Sequence, residues 1–312
     1  MKTKAYLLIL AAIFYGGLSI GWAQNELVRG YYDPVNDWFV FEWDRPDYGR
    51  VRGIYDPPNK IKPVIKAEVG FDRTAQEYTY NYEVTNEEGA VQILDDIFVK
   101  HPAPIYDAKA PFPEDDWFMG EYRDYNEWEW AKWGGIPAGQ TEKGFSFKSG
   151  GLPAIVDSYL FGEQRAETSF PGDEDTEEVN EAFDRIYNDF KEKYKEKHEK
   201  ITKKTLGPTA PPADFKPLEF LDYIISMKHE AFTLGWIRNA GIENSLDKKL
   251  DSARKSLERG SATSAKNVLS ALVNEVEAQG CAIYDDCPSG KHLTPEAWAL
   301  LKYNVEYLLD RL

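Results

Sequence analysis

Residues 218–312 carry the feature that most constrains the fold: four successive stretches whose apolar residues recur at three- and four-residue steps. That period belongs to an α-helix with one face turned to a core. The first stretch runs from Leu218 to Trp236, and Asn239-Ala240-Gly241 turns the chain. The second shows Ile242, Leu246, Leu250, Ala253 and Leu257, with Gly260 where a helix closes on a left-handed residue. The third starts at 261–264 and shows Ala265, Leu269, Leu272 and Val276 before Gly280. The fourth opens with Thr294 as N-cap and Pro295 at the first helical position, then runs through Trp298, Leu301, Val305, Leu308 and Leu312. Short connections between such helices predict an antiparallel bundle.

The first half has a different period. Val64–Phe71, Glu77–Thr85 and Val91–Lys100 read as strands, and Tyr78, Tyr80, Tyr82 and Val84 alternate onto one face. Asn86-Glu87-Glu88-Gly89 supplies a turn. Trp128–Trp133, Phe145–Phe147 and Ala154–Phe161 read as further strands, separated by Gly150-Gly151 and by prolines 137 and 153. Short strands with regular turn signals predict an antiparallel β-sandwich, so the fold class is α+β and multidomain.

An acidic run, 171–178, leads into a helix whose Val179, Phe183, Ile186, Phe190 and Tyr194 form one stripe. Asp175 and Glu178 fit a capping box, and acids at the start with lysines at the end suit the helix dipole. The helix is expected to continue to about Ile201. GPTAPPADFKP then reads as a stiff linker. The predicted organisation is a leader at 1–23, a β-sandwich at 24–170, the acidic loop and charged helix at 171–206, the linker at 207–217 and the helical domain at 218–312.

The leader has a basic start, eighteen uncharged residues from Ala5 to Trp22, and small residues Gly21 and Ala23 before Gln24. This is the pattern of a cleaved export signal, although an uncut run of that length can also anchor in a bilayer. Nothing later is apolar for long enough to span. The formal net charge is −16 and becomes more negative when Lys2 and Lys4 leave with the leader. Such a surface repels phosphate backbones, which argues against a nucleic-acid partner. Cys281 and Cys287 lie in GCAIYDDCPSG. In an exported chain a disulfide is favoured. Metal ligation with His292 and Asp285-Asp286, or free thiols, are the alternatives.

No catalytic constellation stands out. His101, His198, His229 and His292 form no HExxH pattern, Gly-x-Ser-x-Gly is absent, and no phosphate-cradling glycine loop occurs. No catalytic residue, cofactor or metal ligand is therefore expected. Asp95-Asp96, Asp115-Asp116 and Asp173-Glu174-Asp175 are the densest acidic groups, able in principle to hold calcium, but more simply solvated loops. Trp117, Trp128, Trp130 and Trp133 are the candidates for a stacking platform, against the simpler reading that alternate aromatics fill a core.

The segments NAGIENSLDKKLDSARKSLERGSATSAKNVLSALVNEVEAQ and KHLTPEAWALLKYNVEYLL resemble the FIMAH helical domain of secreted and surface bacterial proteins, across 218–312. The cysteine-bearing connection is longer than that family's usual short turn. GFSFKSGGLPAIVDSYLFG and TYNYEVTNEEGAVQILDDIFV resemble exported bacterial proteins of unassigned function with an immunoglobulin-like domain. The resemblance implies architecture and compartment and transfers no catalytic residue. The function expected is a non-catalytic binding or adhesion module at the cell surface or in the periplasm, with protein or glycan as partner. A secreted hydrolase with an unrecognised carboxylate pair and a structural or assembly protein of the envelope are the alternatives.

Overall fold

The computed structural model describes residues 27–45, 47–122, 126–163 and 170–312. The leader expected at 1–23 lies outside the described residues, as does the Trp133 side chain. Contacts group the chain into two units, one comprising residues through Ile54 with Glu167–Phe190, the other Tyr55–Ala166 with Lys191–Leu312.

In the first unit β1 (Val28–Asp33), β2 (Trp38–Arg45) and β3 (Gly49–Tyr55) make an antiparallel sheet in that order. The charged helix α1 (Glu177–Lys193) packs on it. Phe183, Tyr187 and Phe190 follow one helical face, and their rings stand 4.9, 6.1 and 5.7 Å from that of Phe41. A side chain at Gly30 would come 2.4 Å from Ile186, so the close approach of β1 to the helix requires glycine. Asp175, expected to cap this helix, is instead clamped by Arg45 (2.6 Å) and by the Trp43 indole (2.9 Å). Thr176, one residue on, accepts from the Val179 amide at 3.4 Å.

The helix ends sooner than its periodicity predicts. After α1 come one short turn, α2 (Lys195–His198), and a strand, β12 (Ile201–Thr209). Residues 207–209, expected as the head of a proline-rich linker, pair instead with β11 (Leu152–Gly162), Leu152 opposite Thr209 and Ile155 opposite Leu206. Pro208 is tolerated because β12 is the sheet's edge.

The second unit holds two antiparallel sheets. One orders β4 (Pro63–Asp72), β5 (Glu77–Asn86), β10 (Gln140–Ser149) and β7 (Tyr106–Lys109); the other orders β12, β11, β6 (Leu94–Lys100), β9 (Glu127–Ile136) and β8 (Phe118–Tyr122). Their facing surfaces share aromatic rings. Tyr78, Tyr80, Tyr82 and Val84 are buried on one side of β5, as their alternation predicts. Trp130 stacks on Phe147 at 5.9 Å, and the Tyr82 hydroxyl donates to Leu206 O across the gap at 2.8 Å.

Four helices follow, α3 (Pro217–Thr233), α4 (Ala240–Glu258), α5 (Ala262–Gln279) and α6 (Pro295–Leu309), each where its apolar period predicts. The Asn239 side chain accepts from Gly241 and Ile242 amides, and Thr294 from Ala297. α6 is apolar on most sides and packs on β4 and β11 as well as on α3 and α5. The Ala67 amide donates to Glu296 (2.9 Å), the Tyr303 hydroxyl to Val69 O (3.2 Å) and the Asn304 amide to Pro153 O (2.8 Å). Sheets and helices thus share one hydrophobic core, whereas the sequence predicts two domains divided at a linker. Among the described residues no helix is long and apolar enough to cross a membrane.

Candidate functional site

A cleft of about 500 Å³ lies in the second unit between the β4–β5 hairpin and the end of α6. Asp72 builds the hairpin turn: its side chain accepts from the amides of Thr74 (2.7 Å) and Ala75 (3.2 Å). That turn holds Arg73 and Gln76 at the rim. Pairing across the hairpin sets Phe71 opposite Tyr78, with ring centroids 4.5 Å apart. Tyr303, projecting from α6, closes on Tyr78 at 5.3 Å. Four residues on, one turn along the same helical face, Tyr307 carries the Arg311 guanidinium 3.4 Å from its ring centroid.

A second hollow of about 300 Å³ adjoins this wall, with Leu152 common to both and Phe220 and Tyr223 from α3 on its far side. Burial, then the neighbouring Tyr303 and Glu306, push the Tyr78 pKa well up. Tyr303 is pushed up to about 12, by burial first and Glu306 second. Both phenols stay neutral near pH 7. The cleft is therefore lined by the half-buried rings of Phe71 and Tyr307 and the buried Tyr78 and Tyr303, with Arg73, Arg311 and Gln76 as donors and Glu306 and Asp310 as acceptors. Those are the means of non-covalent recognition, apolar stacking oriented by a few polar groups.

The tryptophans singled out from the sequence lie elsewhere. Trp130 is fully buried and Trp117 is 5% exposed, its ring edge-on to Phe145 at 4.8 Å. Trp128 is half-buried, 6.2 Å from Trp130 on the same strand face. Trp117 and Trp130 fill the core and present no ring to solvent, so they form no exposed stacking platform.

The acidic groups separate by environment. Glu174 and Asp175 pair with Arg45, whose guanidinium holds the Asp175 carboxyl below its usual range. Asp116 lies 3.4 Å from Lys132. Asp95 and Asp96 are each pushed up to about 6, by burial first, then by Asp96 on Asp95 and by Glu129 on Asp96. Among the described residues, the group of three that converges closely enough for a metal is His229, Glu243 and Asp247. The fully buried Lys228 ammonium already occupies that point, 2.6 Å from Glu243 and in contact with Asp247, and a metal ion would have to displace it.

Cys281 and Cys287 stand at disulfide distance, with Cα atoms 5.3 Å apart. Their loop is anchored to β4. The Tyr284 hydroxyl donates to Glu296 (2.5 Å), and the Tyr284 amide to Glu68 (2.7 Å).

Comparisons of the chain with protein-family models, with curated proteins and with solved structures gave no match.

Proposed function

We propose that this chain is an exported, non-catalytic binding module that recognises protein or glycan at the cell surface or in the periplasm, and that the cleft between the β4–β5 hairpin and α6 is its ligand site. The observation that carries the reading is the aromatic lining of the cleft, the half-buried rings of Phe71 and Tyr307 backed by the buried Tyr78 and Tyr303, with polar side chains at the rim. Sugar rings stack their C–H faces on such a wall, while hydroxyls bond the rim. The raised carboxyls of Asp95 and Asp96 sit on β6, which does not line this cleft.

Export rests on the leader, with its basic start and uncharged run, and on the cysteine pair. Two finer assignments go with the proposal. The paired sheets of the second unit are taken as an immunoglobulin-like sandwich, supported by their antiparallel pairing and shared aromatic core. Residues 218–312 are taken as a FIMAH-like antiparallel bundle, supported by four helices capped at Asn239 and Thr294.

A glycan array and an envelope-extract pull-down with the mature chain test the reading. Arg73→Ala/Arg311→Ala, at exposed rim positions, is expected to weaken capture at least tenfold, the loss of about 1.5–3 kcal/mol per charged hydrogen bond. Unchanged capture by that variant removes the cleft from the account. Absence of any ligand in both assays removes the binding module.

A further inference from the structure

The hollow of about 300 Å³ beside the cleft narrows what the cleft can take. Its floor is the buried pair Leu152 and Phe220, and its wall carries Tyr223, 39% exposed. Ala210 and Pro212 line this hollow, while Pro211 between them lines the cleft. Pro208, Pro211 and Pro212 fix their own φ, so the strip shared by the two spaces is stiff before any ligand arrives. The Phe220 ring of the hollow lies 5.3 Å from the Tyr307 ring of the cleft. One ligand can therefore enter both.

The two spaces differ in what they leave unpaired. In the hollow Lys216 is held by Glu219 (3.1 Å) and Asp214 (3.6 Å), which leaves the apolar floor to a ligand. In the cleft Glu306 pairs with Lys302 at 3.6 Å, whereas among the described residues no carboxylate pairs with Arg73 or Arg311. Arg311 is oriented by its own helix, donating to Tyr307 O at 3.1 Å. Two arginines without a counter-charge, on a chain of formal net charge −16, select an anionic group, and a guanidinium takes a carboxylate in a planar, paired geometry. Asp310, unpaired beside them, is left to accept from a backbone amide. The Arg311 guanidinium stands 3.4 Å from the Tyr307 ring and that ring 5.3 Å from Phe220, a span that three residues of an extended chain cover at about 3.3 Å each. A sugar leaves the hollow unused, because its hydroxyls find no partner on Leu152 or Phe220.

We propose that the ligand of this site is an extended polypeptide segment. An aromatic or branched apolar side chain fills the hollow over Leu152 and Phe220, and an acidic side chain about three residues away is held by Arg73 and Arg311. The inference rests on the binding-module reading and chooses between its two classes of ligand.

Selection of a displayed library of random dodecapeptides on the mature chain, followed by calorimetric titration of the enriched peptides, is the test. Enriched sequences are expected to share an apolar residue with an Asp or Glu about two to four positions from it. Ala210→Trp, at an exposed position lining the hollow, fills that space and is expected to weaken the peptides tenfold or more. Arg73→Ala/Arg311→Ala weakens them as much, and changing the peptide's acid to its amide weakens binding to wild type but not to that double variant. Thermal melts of both variants are expected to match wild type, which separates loss of contact from loss of fold. Enriched sequences without the apolar–acidic pair, or full binding by a folded Ala210→Trp, overturn the inference. Capture of a glycan with no peptide enriched also overturns it while the binding-module reading stands; capture of neither removes both.

Discussion

At the scale of single residues, the buried ion pairs decide more than the surface ones. Lys228 is fully buried on α3 and paired with Glu243 and Asp247 of α4. Removing one member of such a set leaves uncompensated charge in a poor dielectric. Lys228→Met is therefore expected to cost about 3 kcal/mol in urea unfolding, and Lys228→Met/Glu243→Gln/Asp247→Asn to recover most of it. A loss no larger than that of an exposed pair, roughly 0.5 kcal/mol, would show that the ammonium is hydrated in solution.

At the scale of elements, the helices were legible because their apolar stripes and caps agree: Asn239 and Thr294 stand one residue before their helices and bond the first free amides. The strands 63–72 and 77–86 were legible from alternation. β12 was not, since Gly207 and Pro208 read as chain breakers and their partners come from distant parts of the chain: β11, and the Ala103 amide that donates to Pro208 O at 3.1 Å. Gly207 has a tertiary reason: a Cβ there would lie 2.5 Å from Lys100 O. Gly207→Ala is expected to destabilise by about 2 kcal/mol, read as a shift in the urea midpoint without a change in slope. An unshifted midpoint would mean that the β12 edge yields.

The cleft was half legible. Two expected strands joined at 72–76 already put Phe71 opposite Tyr78, and that juxtaposition was available from the pattern. Tyr303 and Tyr307 were hidden because a stripe of aromatics on a helix looks the same whether it faces a core or a hollow. The burial of Trp117 and Trp130 was hidden for the converse reason: alternation tells which residues share a face, not whether that face meets solvent.

At the scale of the molecule, the sequence changes character near residue 170, but the contacts divide differently. The first unit joins a segment ending at Ile54 to one beginning at Glu167, and everything between belongs to the second. The sheet β1–β2–β3 depends on α1 to cover Phe41. A chain from which 171–190 is deleted is expected to lose the fixed environment of Trp43, whose indole bonds Asp175, and so its near-ultraviolet circular dichroism, while α3–α6 keep their far-ultraviolet signal. A retained Trp43 signal would mean the sheet stands alone.

That arrangement sets a timetable. Phe39 and Phe41 emerge from the ribosome well over a hundred residues before Phe183 and Phe190, a wait on the order of ten seconds at ordinary elongation rates. Throughout it the amino-terminal sheet has no lid, and early folding there cannot be completed. The export proposed above would gain from such a delay, because a translocation channel threads what has not yet closed.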